Sequence, residues 1–335
     1  MSEIGTAQAG GRATARFRVT QESIVFLIAV VFFAGFSILL PGFLDADNIL
    51  SLIQNVSILG ILGIAMGIVV IGRGIDLAMV TTMAMSTAWT IALMNGGTGP
   101  VSAVLLGLGF AAVVGLVIGF LVAYVEIPAI FATLAMSTVI YGFGRLALVD
   151  LDVIYLPEDA AWLRALSGQF LGIPLPVIWF AAVALAAFAF LRFTRRGRFI
   201  FAMGDNREAA RITGIPVRPM TVLQYLISSL IAFVAGMITA SLLATVNIRV
   251  AQSTMVYDVI LVVVLGGIGL SGGKGGVRNV VVGTLLIGIL LNGMTILDMS
   301  FTVQNLVKGA VLLIAIIVDS IANPRDEQTA QQGDI

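Results

Sequence analysis

The chain has 335 residues, 59% of them hydrophobic and 11% charged, with 18 Lys and Arg balanced by 18 Asp and Glu. Soluble domains carry about 25% charged residues, so this is the composition of an integral membrane protein; its neutral balance says nothing about nucleic-acid or acidic partners, and no nucleic-acid partner is expected. With no Cys and no His, disulfides, thiol nucleophiles and the usual zinc and haem ligands are excluded, and no metal or other cofactor is expected.

A helix crossing ~30 Å of hydrocarbon needs about 20 apolar residues. Runs of that kind fall at 24–40, 49–71, 77–94, 101–125, 127–147, 173–193, 219–246, 255–270, 280–297 and 303–321. The fold class is therefore all-α, a polytopic membrane protein of about ten transmembrane helices, with the shortest runs open to a re-entrant form. A membrane domain over 23–322 lies between an N-terminal tail, 1–22, and a C-terminal tail, 323–335. The first run follows Arg12, Arg16 and Arg18 and superficially resembles a signal peptide. It ends in "LPGFLDADN", which offers no small-residue cleavage site, so it reads as an uncleaved span.

Cations gather on the cytoplasmic side of membrane proteins. With the N-terminus inside, all Lys and Arg except Arg145, Arg164, Arg249 and Lys308 fall at the inner side. The outer side collects Asp45, Asp47, Asp150, Asp152, Glu158, Asp159 and Asp298. Both termini are then cytoplasmic. Spans 2–5 and 7–10 have opposite orientations, the arrangement of an inverted repeat, although the halves share no convincing sequence identity.

Polar side chains inside spans must face the bundle or a wet cavity. Gln54, Asn55, Thr82, Ser86, Thr133, Ser137 and Asn292 are the candidates for a translocation path, with interhelical hydrogen bonding as the plainer role for each. Gly63 with Gly67, and Gly115 with Gly119, are spaced for close helix packing. Asp258 and Lys308 lie near the outer ends of spans eight and ten, where snorkelling to the interface is expected, with an intramembrane partner as the alternative.

Between spans six and seven the chain turns polar, "RRGRFIFAMGDNREAARITGIPV". Asp205 reads as an N-cap, with Asn206 and Arg207 following it and Glu208 closing a capping box. Ala209 and Ala210 favour helix. Arg211 precedes Gly214, which suits a left-handed stop, and Pro216 blocks continuation. The spacing predicts a helix of about eight residues, either a docking element for a groove in another protein or an ordinary surface helix.

"EAARITG" resembles the E-A-A-x-x-x-G pattern of permease subunits of ATP-binding-cassette importers. The wider loop is similar to that of the ribose/xylose/arabinose-type sugar permease family. So are "IPAIFATLAMSTVIYGFGRL", "YDVILVVVLGGIGLSGGKGGVRNVVVGTLLIGILLNGM" and "LVKGAVLLIAIIVD". The resemblance implies a subunit of the bacterial inner membrane with no catalysis of its own. It implies a second permease copy, identical or paralogous, a cytoplasmic ATPase that receives the loop 194–218, and an extracytoplasmic binding protein. The implied cargo is a monosaccharide or polyol. Related permeases for branched-chain amino acids, nucleosides or sugar-like signals share the architecture, and an ion-coupled carrier is the rival from another class.

Two stretches depart from pattern. The family's G-x-D-L-S-x-G element appears as "RGIDLAMVT", which keeps Asp76 and Leu77 but has Ala78 and Val80 instead of Ser and Gly. "LSGGK" mimics an ATPase signature, yet no phosphate loop exists in the chain. Arg73, Asp76, Gly272, Gly273 and Lys274 are thus candidates for an inner gate or turn.

Overall fold

The computed structural model describes residues 21–158 and 160–322; both basic or acidic tails, including Arg12, Arg16, Arg18 and Arg325, and also Asp159, lie outside the described residues. In chain order the helices are α1 Gln21–Leu39, α2 Ala46–Ile71, α3 Met79–Asn95, α4 Pro100–Ala123, α5 Ala129–Phe143 with a π turn Gly144–Leu148, and α6 Ala161–Arg164. There follow α7 Leu175–Phe193, α8 Arg195–Asp205, α9 Arg207–Ile212, α10 Val217–Leu243, α11 Met255–Leu265, α12 Val277–Ile296 and α13 Phe301–Ala322. Strand β1 (Val153–Tyr155) pairs antiparallel with β4 (Thr245–Asn247), Ile154 opposite Val246, and β2 (Gln169–Phe170) forms a small hairpin with β3 (Ile173–Pro174).

Among the described residues seven helices are long and apolar enough to cross a membrane: α1, α2, α4, α5 with its π turn, α7, α10 and α12. The expected spans at 77–94 and 255–270 are shorter helices of 17 and 11 residues, and α13 is apolar over Phe301–Ile317. At 1.5 Å per residue α11 covers about 16 Å, half the hydrocarbon thickness. Hydropathy continues past Leu265, but the backbone does not. Gly266 caps the helix and Gly267 turns left-handed (φ 94°), with Gly267 N donating to Val264 O and Ile268 N to Val263 O. That is a Schellman stop.

The same stop ends α3. Gly97 (φ 87°) donates to Met94 O, and Thr98 N donates to Leu93 O. "NGGTG" and "LGGIG" thus fold into the same kind of turn. Packing follows the same exchange. Replacing α2–α5 by α10–α13 maps the α10–α4 contact onto α2–α12, α10–α3 onto α2–α11, α3–α4 onto α11–α12 and α3–α5 onto α11–α13. The C-terminus of α2 and the N-terminus of α10 lie at the same end of the bundle, because Ile71 and α8–α9 meet there. The repeat is therefore inverted. Helix α10, with 27 residues, runs about 40 Å to the opposite end, where β4 meets β1.

Two large apolar cores result, beside two smaller clusters. One joins Leu62 and Met66 of α2 to Val262 of α11 and Val280 of α12; the other joins Met85 of α3 and Ile118 of α4 to Phe233 of α10. Lipid removes the hydrophobic drive between helices, so close packing must hold them. A methyl group on Gly115 would meet Leu226 Cα, and one on Gly119 would meet Val222 Cα; α4 and α10 touch backbone to backbone. The glycine pairs are packing devices, as expected.

Candidate coupling interface and translocation path

The polar segment forms two helices. Thr194 separates α7 from α8, its Oγ1 accepting from Gly197 N at 3.0 Å. Amphipathic α8 buries Ile200, Met203 and Gly204. Asp205 is the last residue of α8, which corrects its assignment as a cap. Asn206 is extended (φ −150°, ψ 109°) and its Oδ1 accepts from Ala209 N at 2.9 Å. The cap has moved one residue because α8's apolar face keeps its helix intact through Asp205. Glu208 is then the second helical residue rather than the third, and the capping box does not form. Helix α9 has six residues, fewer than expected. Its end follows the prediction: Gly214 is left-handed (φ 84°), Gly214 N donates to Arg211 O and Ile215 N to Ala210 O.

The two alanines part company. Ala210 is buried with Met203, Val217 and Met220 and anchors α9 to α8 and α10. Ala209 faces outward with Arg207, Glu208 and Arg211. Ile212, 85% exposed, stands one turn from Glu208 and Ala209 and completes an exposed face. Sequence reasoning missed it, although its i+3 spacing from Ala209 was the available signal. Nearby, Glu126 in the α4–α5 turn pairs with Arg218 at 2.8 Å. That hydrogen bond and charge, helped by Arg207 and Arg211, hold its carboxyl below the ordinary range.

Of the gate candidates, Arg73, Gly272 and Gly273 come together against α8. Arg73 takes the left-handed position (φ 65°) of a Schellman turn ending α2, with Gly74 N donating to Val69 O. Its Nε donates to Ser271 O at 2.7 Å and its Nη2 to Asp205 O at 3.1 Å. Gly273 N donates to Ile71 O at 2.8 Å, while Gly272 and Gly273 are left-handed at φ 77° and 73°. Both halves of the repeat and α8 therefore meet at one junction. Lys274 is exposed beside it. Asp76 lies elsewhere, fully buried, accepting from Ala78 N at 3.1 Å and from Ser228 Oγ at 2.7 Å. Its bond to Ala78 N lies at the start of α3, and its bond to Ser228 ties that start to α10.

The translocation candidates separate into kinds. Thr82, Ser86 and Thr133 are buried and donate to carbonyls one turn back, Ala78, Thr82 and Ala129; they satisfy their own helices. Asn292 exchanges two amide hydrogen bonds with Asn48, of 2.8 and 3.1 Å, and locks α12 to α2. Ser137 Oγ lies 2.7 Å from Thr81 Oγ1, which also donates to Ala251 O at 3.3 Å. Gln54 is half-buried and Asn55 exposed.

Asp258 and Lys308 do not snorkel. Both are buried, with Lys308 Nζ 2.9 Å from Asp258 Oδ1 and hydrogen-bonded to Oδ2 at 3.2 Å. Lys308 also donates to Thr254 Oγ1, which donates to Asn305 Oδ1 at 3.1 Å. An ion buried alone would cost several kcal/mol, so the two side chains find each other rather than the interface. The other cations set apart by the topology argument are also held. Asp152 takes Arg249 at 2.6 Å and Arg145 at 3.3 Å, and Arg164 donates to Pro157 O.

A bundle of membrane-length helices in two inverted halves, with the shortened helices α3 and α11 inside and a capped polar helix fixed at one end, defines the membrane component of a transporter. The chain belongs to a known family of such proteins: residues 48–316 match the profile of the branched-chain amino acid transport system / permease component family. It is 32% identical to the ribose import permease protein RbsC of Escherichia coli over 92% of this chain and 95% of that protein. It is 36% identical to RbsC of Bacillus subtilis over 84% and 88%, and 30% identical to the L-arabinose ABC transporter permease protein AraH of Azospirillum brasilense over 90% and 88%. No solved structure matches.

Proposed function

We propose that this chain is the membrane-spanning, non-catalytic subunit of an ATP-driven, binding-protein-dependent importer for a monosaccharide or polyol in the bacterial inner membrane. The relatives named for ribose and arabinose support the sugar reading. So does the interior polar chemistry, which is mostly hydroxyl and amide. Amino acids would present a carboxylate and an ammonium, and the one buried charged pair among the described residues, Asp258 with Lys308, is already mutually neutralised.

One observation carries the mechanism: α9 is held to the bundle by buried Ala210 yet presents Glu208, Ala209 and Ile212 outward. We assign this face to a cytoplasmic ATPase, with Asp205, Asn206, Arg207, Arg211 and Gly214 shaping the segment. Both termini are then cytoplasmic, the β1–β4 end faces the binding protein, and a second permease copy completes the path. ATP binding closes the ATPase, α8–α9 move with it, and the junction at Arg73 passes the displacement to both halves. The test is uptake of ribose or arabinose into proteoliposomes holding the permease with its cognate ATPase and binding protein. Uptake that needs all three and ATP supports the reading; uptake driven by an ion gradient through the permease alone overturns it.

A further inference from the structure

Residues 72–78, between α2 and α3, are bonded on two sides. Toward the α8 end, Arg73 donates to carbonyls of two different elements, Asp205 O at the end of α8 and Ser271 O in the glycine turn after α11. A methyl group on Gly272 would collide with Arg73, and Gly273 N holds Ile71 O. Toward the bundle centre, the same segment grips one face of α10. Ser228 Oγ donates to Asp76 Oδ2 at 2.7 Å, and Tyr225 Oη donates to Ile75 O at 3.3 Å. Gly72 packs so closely on the Gln224 amide that any side chain would overlap it. Gln224, Tyr225 and Ser228 are all buried, and their spacing places them on one side of the helix.

Helix α3 starts directly after the segment, and α10 packs against α2, α3 and α4. A rigid link between α8 and this centre needs both attachments. Arg73 supplies the outer one at a conformational cost, since a non-glycine left-handed residue is strained by about 1–2 kcal/mol. Asp76 supplies the inner one through a carboxylate that accepts from Ser228 Oγ and from the Ala78 and Met79 backbone at the start of α3.

We propose that residues 72–78 are the transmission strap of the transporter. Arg73 is the positioning residue that senses displacement of α8, and Asp76 is the anchor that turns it into movement of α10 against α3. This rests on the coupling role given to α8–α9. Packed interfaces shift between discrete arrangements rather than stretching, so a strap fixed at both ends passes on a displacement that a slack loop would absorb.

The experiment uses the complete importer in proteoliposomes and reads three quantities: ATPase association, basal ATP hydrolysis, and sugar imported per ATP. Arg73→Ala and Asp76→Ala should assemble and hydrolyse ATP as the parent does, while import per ATP falls about tenfold or more, equivalent to about 1.4 kcal/mol of coupling. Asp76→Asn keeps an acceptor for Ala78 N and a partner for Ser228, and should restore most of the coupling. Ser228→Ala, which removes one hydrogen bond, should show the same uncoupling if Asp76→Ala does not accumulate. Normal import per ATP in Arg73→Ala overturns the strap, as does equal damage from Asp76→Asn and Asp76→Ala. Ala209→Trp separates the two layers. If it leaves association and uptake intact, the coupling reading itself fails; if it blocks association while the strap variants transport normally, only the strap fails.

Discussion

Asp258 of α11 and Lys308 of α13 are the only oppositely charged pair among the described residues in which both partners are buried, with Nζ 2.9 Å from Oδ1. Removing one partner leaves an uncompensated ion in a low-dielectric interior, at a cost of about 3–5 kcal/mol. Asp258→Leu or Lys308→Met alone should lower the thermal stability of the purified protein strongly. The double variant should recover most of it, since an apolar pair of similar volume is close to neutral in such a site. Equal loss in the double and single variants would show that the pair does not act as a unit.

The cap of α9 gives a sharper test, because neighbouring residues differ in role. Asn206→Ala removes the acceptor for Ala209 N and should cost about 1 kcal/mol, enough to lower ATPase association in a helix of six residues. Asn206→Ser or Asn206→Asp should retain it. Asp205 contributes only its backbone carbonyl to Arg73, and its charge sits at the negative end of α8, so Asp205→Ala should be neutral or slightly favourable. The reverse pattern, damage at 205 and none at 206, would restore the cap to Asp205.

These contrasts mark what the sequence could convey. Hydropathy located the helices, and local stops such as Gly214 were legible because a left-handed turn is written in the residue type. The half-length of α11 was not, since apolarity continues past the glycine pair at 266–267. Neither was the pairing of Asp258 with Lys308, fifty positions apart, because a lone charge near the end of a span is expected at the interface and nothing local names a partner. Of the path candidates, Thr82, Ser86 and Thr133 look alike in sequence to Ser137. Only the fold shows that three of them bond within their own helix, while Ser137 reaches Thr81 on another.

The proposed topology can be read by labelling, because the chain has no cysteine. Gln169 in the exposed β2 strand and Arg207 at the exposed start of α9 make no ion pair among the described residues, so Gln169→Cys and Arg207→Cys are suitable, whereas Asp152 holds two arginines. In intact cells, a membrane-impermeant maleimide should label position 169 and spare position 207; inverted vesicles should reverse the pattern. Labelling of both from one side would refute the inside assignment of α9.

Gly204 and Gly214 flank α9 at opposite ends and should respond differently to a single methyl group. At Gly214 nothing lies within 4 Å of a built Cβ. Ala there meets only the strain of φ 84°, about 1–2 kcal/mol, and uptake should fall modestly. At Gly204 the same Cβ would overlap Ile71 O and Gly273 N, so α8 must move off the junction where both halves meet. Overpacking of this kind costs about 1–3 kcal/mol. It also pulls Asp205 O from Arg73 and disturbs the Gly273 to Ile71 hydrogen bond. Gly204→Ala should therefore keep membrane insertion and ATPase association, which depend on the spans and on the outer face of α9, yet lose most ATP-dependent uptake. Gly109→Ala in α4, where a Cβ also meets nothing within 4 Å, is the control and should be neutral or slightly stabilising. Full uptake in Gly204→Ala would mean that contact between α8 and the Arg73 junction is incidental to transport.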